Sequence, residues 1–189
     1  MEASGSESPL IQAASRWVVA CYPYNSRHLL ESLVWLDRIA PGSRDAVRLA
    51  TLTHDMERAF PGPDSPVMKG LGDAEYHAAH SERSARIVGT WLRENGAEET
   101  LVGDVEALIR VHEDGGWPEA NAVQAADSLS FLSTNVDLFL GFVRSGKFSV
   151  SDVKWKFDYT YERIQVPHAK ELARPLLDEA LARLDKIQL

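Results

Sequence analysis

Residues 49–60 read LATLTHDMERAF, and this stretch decides how the rest of the chain is read. Leu49, Leu52, Met56 and Ala59 recur at three- and four-residue steps, one stripe of an α-helix that begins near Ser43. Pro61, Gly62 and Pro63 follow Phe60 and end it. His54 and Asp55 sit inside this apolar rhythm, about 100° apart around a helix. A histidine and a carboxylate where core residues are expected call for a partner, because burying an unpaired polar group is costly.

Outward from this stretch the same helical spacing recurs, and no period-2 run bounded by hairpin turns is found. The pattern predicts further helices over 10–22, 28–39, 73–94, 98–112, 119–143, 151–164 and 167–187. Breaks fall at Pro23, Pro41-Gly42, Asn95-Gly96, Gly115-Gly116 and Ser145-Gly146. Residues 61–72 hold three prolines and three glycines and read as a loop, a candidate lid. The expectation is an all-α single domain over 10–189, preceded by a polar tail at 1–9.

Composition narrows the partners. The 189 residues carry 28 acidic against 20 basic side chains, a formal charge of −8. Such a surface is a poor match for a nucleic-acid polymer or an anionic membrane, and neither is expected as a partner. No apolar run approaches the length of a membrane span. Cys21 is the sole cysteine, which excludes an internal disulfide and a cysteine-rich zinc site. The expected compartment is the cytoplasm. The last two helices could pair with a second copy, and a homodimer is an open possibility.

Other polar groups also fall on inward stripes. Leu101, Val105 and Leu108 lead to His112; His77 and His80 precede Ser84, Ile87 and Trp91. Asp127 lies one turn after Val123 and one before Phe131, and His28 opens its helix beside Leu29. Imidazoles and carboxylates converging from separate helices are the makings of a metal site in a helical core. The ligand set is His28, His54, Asp55, His80, His112 and Asp127. Its nitrogen and oxygen donors suit Fe, Mn, Co, Ni or Zn. Six ligands are too many for one ion that keeps an open position, and they suit two ions sharing a bridging carboxylate.

In order along the chain, His28, the doublet His54-Asp55, His80 before SERSARIVGTWL, His112 in IRVHEDGG and Asp127 in AVQAADSLSFL resemble the HD-domain superfamily of helical metal-dependent phosphohydrolases, in its H…HD…H…H…D form. The resemblance covers roughly residues 25–135. It implies that His28, His54, Asp55 and Asp127 hold one metal and that Asp55 bridges to a second held by His80 and His112. His77 is then a neighbour or substrate-side group. The doublet continues as Met56-Glu57-Arg58 and no His-His pair exists, unlike the cyclic-dinucleotide phosphodiesterase branch. Asp127 follows His112 closely, unlike the HD-type diiron oxygenases.

The implied activity is hydrolysis of a nucleotide or other small phosphate ester, with Asp55 or Asp127 orienting the water and Arg58 gripping phosphate. An HD-type diiron oxygenase and a non-catalytic metal-binding module are the alternatives. Lys69, Lys154, Lys156 and Arg163 could add positive charge, although a solvated helix face is the simpler expectation for the last three. Core packing is expected of Trp155, Tyr159 and Tyr161, and His168 reads as decoration at a helix start.

Overall fold

The computed structural model describes residues 8–187, so most of the expected tail at 1–9 lies outside the described residues. Pro9 is already the first residue of helix α1 (Pro9–Cys21), where its fixed φ and missing N–H cost nothing. There follow α2 (Ser26–Ile39), α3 (Asp45–Thr53), a 3-10 turn (Met56–Ala59), α4 (Ala74–Glu94), α5 (Glu99–Arg110), α6 (Pro118–Thr134), α7 (Val136–Arg144), α8 (Val150–Glu162) and α9 (Pro167–Leu184). No strand occurs among the described residues, and the fold is all-α. Among the described residues no helix is long and apolar enough to cross a membrane.

Helix α6 is the axis. It packs against α2, α3, α5, α7, α8 and α9 and is buried along nearly all its length from Ala120 to Leu132. A helix buried on every side needs small residues where neighbours close in; Ala120, Ala122, Ala125 and Ala126 supply them. The amphipathic helices α2, α3 and α5 turn Leu29, Leu36, Leu49, Leu52, Leu108 and Ile109 toward it. Burying each such side chain contributes about 1.5–3 kcal/mol, so the axis is well anchored where it carries Asp127.

Three helix ends differ from the periodic reading. The helix expected over 43–60 stops at Thr53. The Thr51 carbonyl lies 2.9 Å from His54 Nδ1, and Asp55 adopts φ −100°, ψ 8°, in the sparsely populated bridge region where functional residues are often found. The helix expected over 98–112 ends at Arg110, leaving His112 and Glu113 in a buried turn. Gly115 and Gly116 close that turn at φ 76° and 137°, conformations that L side chains rarely adopt. A Cβ on Gly115 would lie 2.4 Å from Asn121 Oδ1, the oxygen that accepts from the Gly116 N–H at 2.7 Å. The helix expected over 119–143 divides at Asn135, where Ser133 and Thr134 hydroxyls donate back to the Ser130 carbonyl at 3.1 and 2.7 Å and compete with the ladder.

Candidate metal centre

Six elements supply one side chain or two each to a buried cluster. His28 comes from α2, His54 and Asp55 from the break after α3, and Glu57 from the 3-10 turn. His80 comes from α4, His112 and Glu113 from the turn after α5, and Asp127 from α6. All are buried, none more than 8% exposed. Their ligand atoms form three overlapping groups, each with its members within 4.8 Å of one another: His28–His54–Asp127, His54–Asp55–His112 and His80–His112–Glu113. All six histidines and aspartates expected from the sequence therefore meet in one place. His54 belongs to two groups, and so does His112.

Backbone and hydroxyl groups fix how the imidazoles face. His54 Nδ1 lies 2.9 Å from the Thr51 carbonyl and His112 Nδ1 lies 2.8 Å from the Ile109 carbonyl. A carbonyl only accepts, so both rings carry a proton on Nδ1 and present Nε2 to the centre. Those two Nε2 atoms are buried without a hydrogen-bond partner. The Ser130 hydroxyl donates to the His28 carbonyl at 2.6 Å, so its oxygen is left to accept from His28 Nδ1–H at 3.0 Å. His28 Nε2 then faces Asp127 Oδ1 at 3.1 Å. His80 bridges two carboxylates, with Nδ1 3.1 Å from Glu57 Oε2 and Nε2 3.0 Å from Asp55 Oδ1. Imidazoles anchored through one nitrogen, with lone pairs turned toward carboxylates, are what first-row metal ligands require. The residues present fit a metal.

An outer ring of arginines holds the carboxylates. Arg58 pairs with Asp55 Oδ2, and Arg163 pairs with both Glu113 Oε2 and Asp127 Oδ2. Arg83 donates to Glu57 Oε1 at 3.3 Å, the Phe60 carbonyl at 2.8 Å and Asp64 at 3.0 Å. Each aspartate thus gives Oδ2 to an arginine and keeps Oδ1 toward the imidazoles. Burial works against charge on Asp127 and Glu113, yet Arg163 holds both well below the usual carboxylate range; Arg58 and His80 do the same for Asp55.

The histidines are driven apart. Burial opposes charge on His54, but the Asp127 and Asp55 carboxylates outweigh it and push its imidazole up to about 9. Burial and the neighbouring His54 push His112 down to about 4. A raised imidazole favours a second proton, on Nε2, at His54 in the metal-free protein. Metal capture at the His28–His54–Asp127 group should displace that proton, with affinity rising roughly tenfold per pH unit from neutrality toward pH 9. The sign follows from the raised pKa: below 9 the proton competes, above it there is none to displace. Calorimetry of manganese binding in buffers of different ionisation enthalpy should find about one proton released per ion at neutral pH. An affinity that ignores pH between 7 and 9 would contradict this arrangement.

The cluster opens onto a cavity of about 500 Å³, which His28, Asp55, Glu113 and Asp127 line on its inner side. His77, the neighbour of His80, lines it too, with Nδ1 3.0 Å from Glu113 Oε1. Arg58, Lys69, Lys156 and Arg163 also line it, and Met68 to Leu71 of the 61–73 loop form part of its wall. Two expectations for α8 are corrected here. Lys156 and Arg163 belong to the cavity and not to a solvated face, because Lys156, Thr160 and Arg163 share one inward stripe. Lys154 does lie on an exposed face, pairing with Asp158 at 2.6 Å. Trp155 departs from core packing: it is 44% exposed and stacks on Tyr159, while Tyr161 is buried. His168 stands away from the cluster beside Glu171, on an exposed stretch.

Glu57, Glu113 and Arg83 escaped the sequence reading, which named Arg163 only as a possible added positive charge. Glu113 had a signal: His112-Glu113 repeats the histidine–acid order of His54-Asp55 at a helix end, just before a glycine pair. Glu57 and Arg83 had none, since their partners lie 26 positions apart in the chain.

Comparison with protein-family models, with curated proteins and with solved structures finds no match for this chain. Fold and site together define an all-α protein whose buried histidine and carboxylate groups could hold metal ions.

Proposed function

We propose that this chain is an HD-type, metal-dependent phosphohydrolase acting on a small phosphate ester, with two divalent transition-metal ions as cofactors. One observation carries the reading: three overlapping histidine–carboxylate groups face a cavity whose lining is rich in fixed positive charge. His28, His54, Asp55 and Asp127 would hold one ion, and Asp55 would be shared with a second at His80 and His112. Glu113 groups with His80 and His112 and would be a further ligand to the second ion.

When bound, such ions supply Lewis acidity, which lowers the pKa of a coordinated water and offsets charge at phosphoryl oxygens. The chain's own residues do the rest. Asp55 and Asp127 each direct one oxygen inward and are positioned to orient the attacking water. Arg58 lines the cavity while holding Asp55, so it meets an incoming phosphate already fixed in place. In the net reaction a water oxygen forms a bond to phosphorus and the ester P–O bond breaks. One water proton ends on the departing oxygen.

The test is a phosphatase screen of the protein loaded with Mn, Co, Ni, Fe, Zn or Mg, beside Asp55→Ala. Turnover of a phosphomonoester by the wild type should fall on the order of a thousandfold in Asp55→Ala. Activity that survives the substitution would leave a metal-binding module without chemistry at this site. Activity confined to iron-loaded protein, with substrate loss that needs air, would replace hydrolysis by an oxygenase reaction.

A further inference from the structure

The cavity has two ends of different chemistry. At the inner end stand the metal-binding groups. Away from them, Phe131 contacts Phe139 at a ring-centroid distance of 4.9 Å, Phe139 contacts Phe142 at 5.4 Å, and Phe142 contacts Phe148 at 5.7 Å. All four rings line the cavity, with Leu138, which is 43% exposed. Besides Asn135 and the Lys147 ammonium, that wall offers no side-chain hydrogen-bonding group.

Lys156 marks the junction between the two ends. Its Nζ lies 5.4 Å from the centre of the Phe131 ring, and Phe131 sits one helical turn beyond Asp127 on α6. The other cations near this point are engaged: Arg58 with Asp55, Arg163 with Glu113 and Asp127. Lys156 alone among them makes no ion pair with a described carboxylate: its Nζ lies over the faces of Phe131 and Tyr159, and Glu113 and Asp127 act on it only through space. A cation over aromatic faces, without a direct ion pair to neutralise it, keeps its charge available to an incoming anion.

We infer that the ligand is a phosphomonoester of an apolar, preferably aromatic, alcohol, with its phosphate held by Lys156 and its organic part lying along the Phe131–Phe139–Phe142 wall. A polyhydroxylated sugar is disfavoured on the same wall, because each hydroxyl set against it would lose water and gain no partner. The inference rests on the phosphohydrolase reading for the phosphate and adds the organic half of the ligand.

Two probes test it on the full-length, manganese-loaded protein: phenyl phosphate and glucose 6-phosphate. Calorimetry should show phenyl phosphate bound at least about tenfold more tightly. Lys156→Met should weaken phenyl phosphate binding at least about tenfold, with metal content unchanged, and Lys156→Arg should recover part of the loss. Phe139→Ala should narrow the preference between the probes. If the enzyme turns over, Lys156→Met should act mainly on KM. Equal affinities for the two probes on the wild type overturn the inference, even if Lys156→Met fails to fold. Unchanged phenyl phosphate binding in a folded Lys156→Met protein overturns it as well. Lys156-dependent binding without turnover upholds this subsite and removes the phosphohydrolase reading. Turnover that ignores both Lys156 and the organic group removes the subsite and leaves that reading standing.

Discussion

His54→Ala protein, purified beside the wild type and assayed for bound metal, is expected to carry at most half the wild-type content. His54 is shared by two of the three ligand groups, so its loss reduces both to two donors. The ion proposed at His28, His54, Asp55 and Asp127 then keeps three donors, fewer than the four or more ligands that a first-row ion ordinarily takes. The remaining group, His80–His112–Glu113, does not contain His54 and should keep its ion. His112→Ala gives the complementary result: it breaks the other two groups and spares His28–His54–Asp127. On the proposed reading hydrolysis draws on both ions and should fall on the order of a thousandfold in either variant. His54→Gln is the control for folding, since its amide can still donate toward the Thr51 carbonyl. Wild-type metal content in a folded His54→Ala protein would show that the cations bind elsewhere.

Arg163→Met should cost the protein more stability than any single substitution on its surface. The Arg163 side chain is only 7% exposed and faces two buried carboxylates, Glu113 and Asp127. Its N–H at Nε also donates to the Ser128 hydroxyl at 2.9 Å. Removing one partner of a buried pair leaves an uncompensated charge and costs about 3–5 kcal/mol; here two acids lose the same cation. A lowering of Tm by roughly 10 °C is expected in the metal-free protein. The loss should shrink on acidification, because protonating Glu113 and Asp127 removes the stranded charge. Their carboxyl groups lie far below the usual range in the wild type, so the stability they contribute is present above pH 4 and fades as pH falls. Added manganese should raise Tm more in the variant than in the wild type, since an ion at Asp127 replaces part of the missing charge. A variant as stable as the wild type would mean that Arg163 does not balance these acids.

The two substitutions probe layers of the site that differed in how far the sequence revealed them. The inner layer was legible. His28, His54, Asp55, His80, His112 and Asp127 all interrupt or end apolar stripes, and a polar group on such a stripe is conspicuous because burial penalises it. The outer layer was mostly hidden. Arg163 and Lys156 look like ordinary charges among KWKFDYTYER, and only the packing of α8 against α6 turns their stripe toward the cavity. Arg83 and Glu57 find each other across chain distance, with no local pattern to announce the pair.

Helix ends were the other gap. Periodicity carried the helices of α3 and α5 through His54-Asp55 and to His112, whereas both helices stop short. Periodicity reports which face is apolar, and the stripe continues across the break. What ends α3 is a set of contacts: His54 to the Thr51 carbonyl, and the Glu57 N–H donating to the Ser84 hydroxyl of α4 at 3.0 Å. A continuous helix would hold His54 and Asp55 about 100° apart; the break lets both face one centre.

The sequence by itself determined the all-α class, the loop at 61–72, and the six side chains that converge, because hydrophobic periodicity and the cost of burying polar groups act locally along the chain. Only the tertiary structure decided which nitrogen each imidazole presents, which arginine steadies each carboxylate, and which aromatic side chains line the cavity. Those depend on pairings between distant segments, and such pairings exist only once α6 is packed at the centre of the bundle.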